Sequence, residues 1–119
     1  MHAEQALAPC PRGTPPLALA ECHARLAALP GWRCVDVGGI AQLERAYEVS
    51  NFVAALGFAT AIGALAEAAD HHPAITVEWG KVTLRWWTHG ISGLHHNDFV
   101  MAARCDAVYL QCVSAGVAR

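Results

Sequence analysis

Residues 67–89 run Glu67-Ala68-Ala69-Asp70-His71-His72-Pro73-Ala74-Ile75-Thr76-Val77-Glu78-Trp79-Gly80-Lys81-Val82-Thr83-Leu84-Arg85-Trp86-Trp87-Thr88-His89. Pro73 stops the helix before it, because the residue preceding a proline is pushed out of the α region. Ile75, Val77 and Trp79 then alternate with polar neighbours, Gly80-Lys81 turns the chain, and Val82, Leu84 and Trp86 alternate on the way back. A period of two on both sides of a glycine turn predicts an antiparallel hairpin. Its pairing sets the start of one strand beside the end of the other, so His71 and His89 become neighbours. Three histidines (His71, His72, His89) and three carboxylates (Glu67, Asp70 and, further on, Asp98) thus sit inside otherwise apolar sequence. Burying unpaired titratable groups is costly or shifts their pKa values, so an ordinary core segment would not hold so many. The cluster reads as a site.

Upstream, Ser50 or Asn51 is a suitable N-cap for a long helix from Phe52 to about Asp70. Phe52, Leu56, Ala59, Ile62 or Gly63, and Ala66 fall on one face, and Glu67 and His71, four apart, share its last turn. Before it, Trp32–Val37 and Ile40–Val49 read as strands joined by Gly38-Gly39, and Leu19, Cys22, Leu26 and Leu29 mark a first helix ended by Pro30-Gly31. Downstream, a last helix spans about His96 to Val113, with Val100, Ala103, Ala107 and Leu110 inward and Asp98 in its first turn. The order α-β-β-α-β-β-α predicts an α+β domain, a four-stranded antiparallel sheet with three helices packed on one face. Residues 1–16, with Pro9, Pro11, Pro15, Pro16 and Gly13, read as a loose leader, residues 17–113 as a single domain and 114–119 as a short tail.

The totals narrow the function. The chain has 119 residues, 55% of them hydrophobic, and a formal net charge of −2. That fits one folded domain and excludes disorder. No Lys/Arg cluster supplies the footprint of a nucleic-acid binder. No continuous apolar run approaches the ~20 residues of a membrane span. No basic region followed by an apolar segment opens the chain, so a cytoplasmic location is expected. Cys10, Cys22, Cys34, Cys105 and Cys112 form no C-x-x-C pair and are odd in number, which suits a reducing compartment.

Paired imidazoles with carboxylates beside them suit proton transfer, since histidine titrates nearest neutrality. His2, His23, His95 and His96 are read as ordinary surface or satisfied residues, Trp32 as a core or groove-lining aromatic, Trp79, Trp86 and Trp87 as candidate sheet-core residues, and Arg85 without a role. A zinc site using His71, His89 and Asp98 or Glu67 is the rival use of the cluster. No H-E-x-x-H, H-x-H or C-x-x-C spacing supports it, and adjacent His71 and His72 diverge.

Taken together, Glu67, His71-His72-Pro73, Trp79, Thr88-His89, Gly93-Leu94 and Asp98 resemble the motif of the pterin-4a-carbinolamine dehydratases, at the family's own spacing. Pro30-Gly31-Trp32 and Ala55-Leu56-Gly57-Phe58 extend the resemblance over roughly residues 17–113. His95 stands where the family usually has Ser or Thr, a poorer cap that would let the helix start shift. Asp70 stands in place of a common Asn, and Trp79 in place of Tyr. The resemblance implies dehydration of a 4a-hydroxytetrahydropterin to the quinonoid dihydropterin, with no metal or other cofactor. It implies His71 and His89 as general acid and base, His72 as a third catalytic group holding the substrate, and Glu67 and Asp98 as supports. Asp70, Trp79 and Thr88 are the further substrate-binding candidates. It also implies a homodimer or homotetramer and a link to aromatic amino-acid hydroxylases. A non-catalytic pterin-binding or regulatory dimerisation module is the alternative on the same fold.

Overall fold

Period-two alternation sets the strands, and glycines set their turns. The computed structural model describes residues 5–116. Its elements are α1 (Leu19–Leu26), β1 (Arg33–Val37), β2 (Ile40–Glu48), α2 (Phe52–Ala69), β3 (Ala74–Glu78), β4 (Lys81–Trp86) and α3 (His96–Ser114), with a short 3₁₀ turn at His89–Ile91. The strands form one antiparallel sheet in the order β1-β2-β4-β3. This is the α+β architecture and element order that the alternation predicted. Residues 1–4 of the leader and 117–119 of the tail lie outside the described residues.

Register fixes what faces the helices. Leu43 opposes Trp86, Tyr47 opposes Val82 and Ile75 opposes Leu84. Leu43, Val82, Leu84 and Trp86 are completely buried, in one cluster with Ala55, Phe58, Ile62 and Ala66 of α2 and Met101, Ala102 and Cys105 of α3. Glu78 pairs with Lys81, so the hairpin turns at Trp79-Gly80, one residue earlier than the alternation suggested. Gly80 takes φ 75° there, a conformation that costs glycine nothing. Trp79 therefore belongs to the turn and not to the strand.

Two buried faces differ from expectation. Phe52 and Leu56 of α2 are 46% and 47% exposed, while Ala55 and Phe58 point inward. An apolar helix without a polar side has no periodicity to orient it; here Asn51, whose side chain accepts from the Ala54 N–H at 2.8 Å, sets where it begins. Leu110 of α3 is likewise exposed. The 18 residues of α2 have a mean hydropathy of 1.7, long and apolar enough to cross a membrane by length and composition. The helix is not one continuous apolar run, since Thr60 and Glu67 interrupt it, and its Ala55, Phe58, Ile62 and Ala66 are buried against the rest of the fold.

A carboxylate locks α3 onto the sheet. Asp106 Oδ1 accepts from Trp32 Nε1 at 3.0 Å, Arg45 Nη1 at 2.8 Å and Tyr47 Oη at 2.5 Å. Burial pushes the Tyr47 phenol far above its ordinary pKa, so it stays a donor. The Arg45 guanidinium lies 4.5 Å from the Tyr47 ring centre and fills the space beside Gly31, where a Cβ would come within 2.5 Å of it. Asp106→Ala strands three donors at once. It is expected to cost about 2–3 kcal/mol in urea denaturation, with the denaturant slope unchanged.

Candidate active site

The site grows from the way α2 ends. Asp70 adopts the left-handed conformation (φ 51°, ψ 43°), and its N–H and that of His71 close the last turn on Glu67 O and Ala66 O. That twist swings His71 off the helix axis, so Glu67 and His71 do not share a face as their spacing predicted. Glu67 Oε1 instead lies 2.7 Å from His72 Nε2, an exposed pair worth little by itself. His71 turns inward: Nε2 is 2.7 Å from Asp98 Oδ1, and its ring stacks on Trp86 at 5.4 Å between centres and 21° between planes.

Asp98 is completely buried. Oδ2 accepts from Thr88 Oγ1 at 2.8 Å and from the His95 N–H at 2.9 Å. The second contact is half of a capping box, completed by His95 Nδ1, which accepts from the Asn97 N–H at 3.2 Å. His95 thus does the work of the usual Ser or Thr, and α3 starts without displacement. With Asp98 acting as acceptor, His71 Nε2 carries its proton and Nδ1 is the other nitrogen.

His89 reaches the same region from the turn after β4. Thr88 N–H donates to Gly93 O at 2.8 Å and closes the loop. His89 Nε2 sits 3.2 Å from His72 O, so Nε2 is the donor and Nδ1 the other nitrogen. Its ring stacks on Trp87 at 4.3 Å and 25°. Consecutive residues at a strand end face opposite ways. Trp86 accordingly supports one imidazole and Trp87 the other. The adjacent tryptophans stood in plain sequence, but only as core candidates.

A pocket of about 390 Å³ gathers His71, His72 and His89 with Asp70, Thr88 and Gly90, and with Leu7, Cys10 and Asn97. That volume lies toward the small end of ligand cavities. Glu67 and Asp98 stand outside its wall, behind His72 and His71. Trp79 does not line this pocket: it is 65% exposed at the far end of the β3–β4 hairpin, because the turn falls one residue early. The Thr88 hydroxyl hydrogen is committed to Asp98. Leu7 and Cys10 were missed, since a proline-rich leader has no periodicity to announce where it packs, and Asn97 with them, since it meets the pocket beside that leader. Among the described residues, no three His, Cys, Asp or Glu side chains are grouped to hold a metal ion; His71 and His72 engage separate carboxylates.

A pocket lined by imidazoles from two loops, at one end of an antiparallel sheet, is the candidate site of this small α+β protein. Residues 15–108 match the family model described as Pterin 4 alpha carbinolamine dehydratase. The chain belongs to that family. A Microcystis aeruginosa protein provisionally named as such a dehydratase is 45% identical over 92% of this chain and 94% of its own. A Vibrio cholerae protein with the same provisional name is 48% identical over 83% of this chain and 91% of its own. The crystal structure of a Brucella melitensis transcriptional coactivator/pterin dehydratase superposes with a TM-score of 0.70 at 30% identity, covering 78% of this chain and 97% of that one. A pterin dehydratase-like RuBisCO assembly factor of the alpha-carboxysome shares the fold, with a TM-score of 0.54 at 23% identity over 66% of this chain and 88% of that one.

Burial lowers the His95 pKa below its ordinary 6.5, with Asp98 opposing and His96, His71 and Arg25 reinforcing the shift. The unfolded chain therefore takes up this proton first, and stability present above 6.5 is lost as the pH falls through the folded value. Protonation also removes the Nδ1 acceptor that caps α3. Melting temperatures measured from pH 8 to pH 5 should fall for the wild type, and His95→Ser, which caps without titrating, should flatten that slope (about 1 kcal/mol of cap at stake).

Proposed function

We propose that this protein catalyses the loss of water from a 4a-hydroxytetrahydropterin, giving the quinonoid dihydropterin. The observation that carries the reading is the pair of imidazoles, His71 and His89, lining one pocket, each with Nε2 engaged as a donor and Nδ1 left over. The elimination breaks the C4a–O bond and the N5–H bond. One imidazolium gives its proton to the departing hydroxyl, which leaves as water, while a neutral imidazole takes the N5 proton. The sum is redox-neutral, so two proton transfers complete it.

His71 and His89 take the acid and base roles, with His72 beside the departing hydroxyl. Asp98 holds His71 and Glu67 holds His72. Asp70 at the pocket rim is suited to the amino-pyrimidine edge of a pterin, whose N–H groups need an acceptor. Thr88 supports Asp98 from the pocket wall, and its hydroxyl oxygen keeps acceptor capacity toward a substrate. The activity would supply tetrahydropterin recycling to aromatic hydroxylation, in the cytoplasm. Exposed Phe52, Val53 and Leu56 on α2, with Leu110 and Val113 on α3, favour a homo-oligomer. They also favour the second reading, a pterin-binding or regulatory dimerisation module without turnover.

The decay of chemically generated 4a-hydroxytetrahydropterin separates the two. Wild-type protein should accelerate it, and His71→Ala and His89→Ala should each lower that acceleration by on the order of 10²-fold. Asp98→Asn, which sets an amide N–H₂ among the donors around it, should lower the rate by about 10–10²-fold through misoriented His71. Pterin binding with an unchanged spontaneous rate would establish the binding module instead.

A further inference from the structure

The leader is tied down at both ends of its described course. Asn97 holds Ala8 by both halves of its amide: Nδ2 donates to Ala8 O at 2.8 Å, and the Ala8 N–H donates to Oδ1 at 2.7 Å. Upstream, Arg104 Nη2 donates to Gln5 O at 3.2 Å, and His96 Nε2 lies 3.3 Å from Ala6 O. Arg25 Nη1 meets His96 Nδ1 at 3.0 Å. A guanidinium only donates, so Nδ1 accepts and Nε2 carries the proton offered to Ala6. Downstream, the Leu17 N–H donates to Leu94 O at 2.9 Å, and Pro16 lies so near Gly93 that a Cβ there would come within 2.7 Å of it. Between these fastenings, Leu7 and Cys10 line the cavity of His71, His72 and His89. Pro9 and Pro11 flank Cys10 and fix φ on either side, so the segment is preorganised.

We infer that residues 7–10 form a strap that completes the pterin pocket, with Leu7 and Cys10 as substrate-binding residues in contact with the heterocycle. The inference rests on the proposed pterin site and names two further residues of it. The strap contributes shape and apolar contact, since the backbone of Ala8 is taken by Asn97. Contacts of that kind bind ground state and transition state alike, and they appear in KM.

Cys10 supplies a readout that does not depend on catalysis. The protein is treated with N-ethylmaleimide with and without saturating 7,8-dihydrobiopterin, whose binding is followed by tryptophan fluorescence, and each thiol is quantified by peptide mass mapping. Cys34 and Cys112, half-buried elsewhere, are internal controls. Bound pterin should slow labelling of Cys10 by about tenfold or more and leave the controls within about twofold. Equal labelling of Cys10 with pterin bound overturns the inference. Leu7→Gly and Asn97→Leu, checked for an unchanged circular dichroism spectrum, should each raise KM by about tenfold with kcat within about twofold. A fall in kcat at constant KM overturns it too. Protected Cys10 without any turnover would remove the dehydratase reading and keep the strap; absence of pterin binding would remove both.

Discussion

A carboxylate with no contact to water has to find its hydrogen bonds inside the protein, and that demand on Asp98 organises the site. Its oxygens take a ring N–H from the loop after α2, a hydroxyl from the loop after β4 and a backbone N–H from the cap of α3. Leaving a buried ion short of a partner would cost several kcal/mol, a large share of a small domain's net stability. Three separate pieces of chain are therefore held in register by one side chain. The contrast with Glu67 and His72 is instructive: the same 2.7 Å separation, at side-chain exposures of 81% and 52%, orients a ring without contributing much to folding.

Both principal imidazoles are held from two directions. A hydrogen bond at Nε2 fixes the tautomer, and an indole face fixes the plane of the ring, Trp86 for His71 and Trp87 for His89. This is possible because Trp86, the last residue of β4, and Trp87, the residue after it, face opposite ways. Such double restraint reduces the reorganisation needed when a flat substrate enters.

How much of this was legible depends on what kind of signal each feature leaves. The hairpin and the meeting of its two histidine-bearing ends followed from period-two alternation, which a one-residue slip would ruin by exposing the whole buried set. Spacing alone did not give the partner of His71, and Asp98 entered only as a support implied by the motif resemblance. Glu67 is four residues away on a helical spacing, but a single left-handed residue at Asp70 breaks that spacing, and Asp98 lies in a distant helix. Trp79 was misplaced because the turn falls at Trp79-Gly80 instead of Gly80-Lys81. The buried side of α2 could not be chosen because every side is apolar. The leader was opaque for another reason: it is held chiefly through its carbonyls and amides, which every residue type carries alike.

Asp98 and Asp106 sit on one helix, eight residues apart, and each gathers donors from the sheet side or its loops. At the rise and turn of an α-helix, they stand about 12 Å apart along the axis and about 80° apart around it. In kinematic terms, one pin leaves a rod free to pivot, whereas two pins at different heights and bearings remove sliding, rolling and tilting together. The last helix is thereby a fixed datum from which the positions of His71, the cap and the strap are all measured.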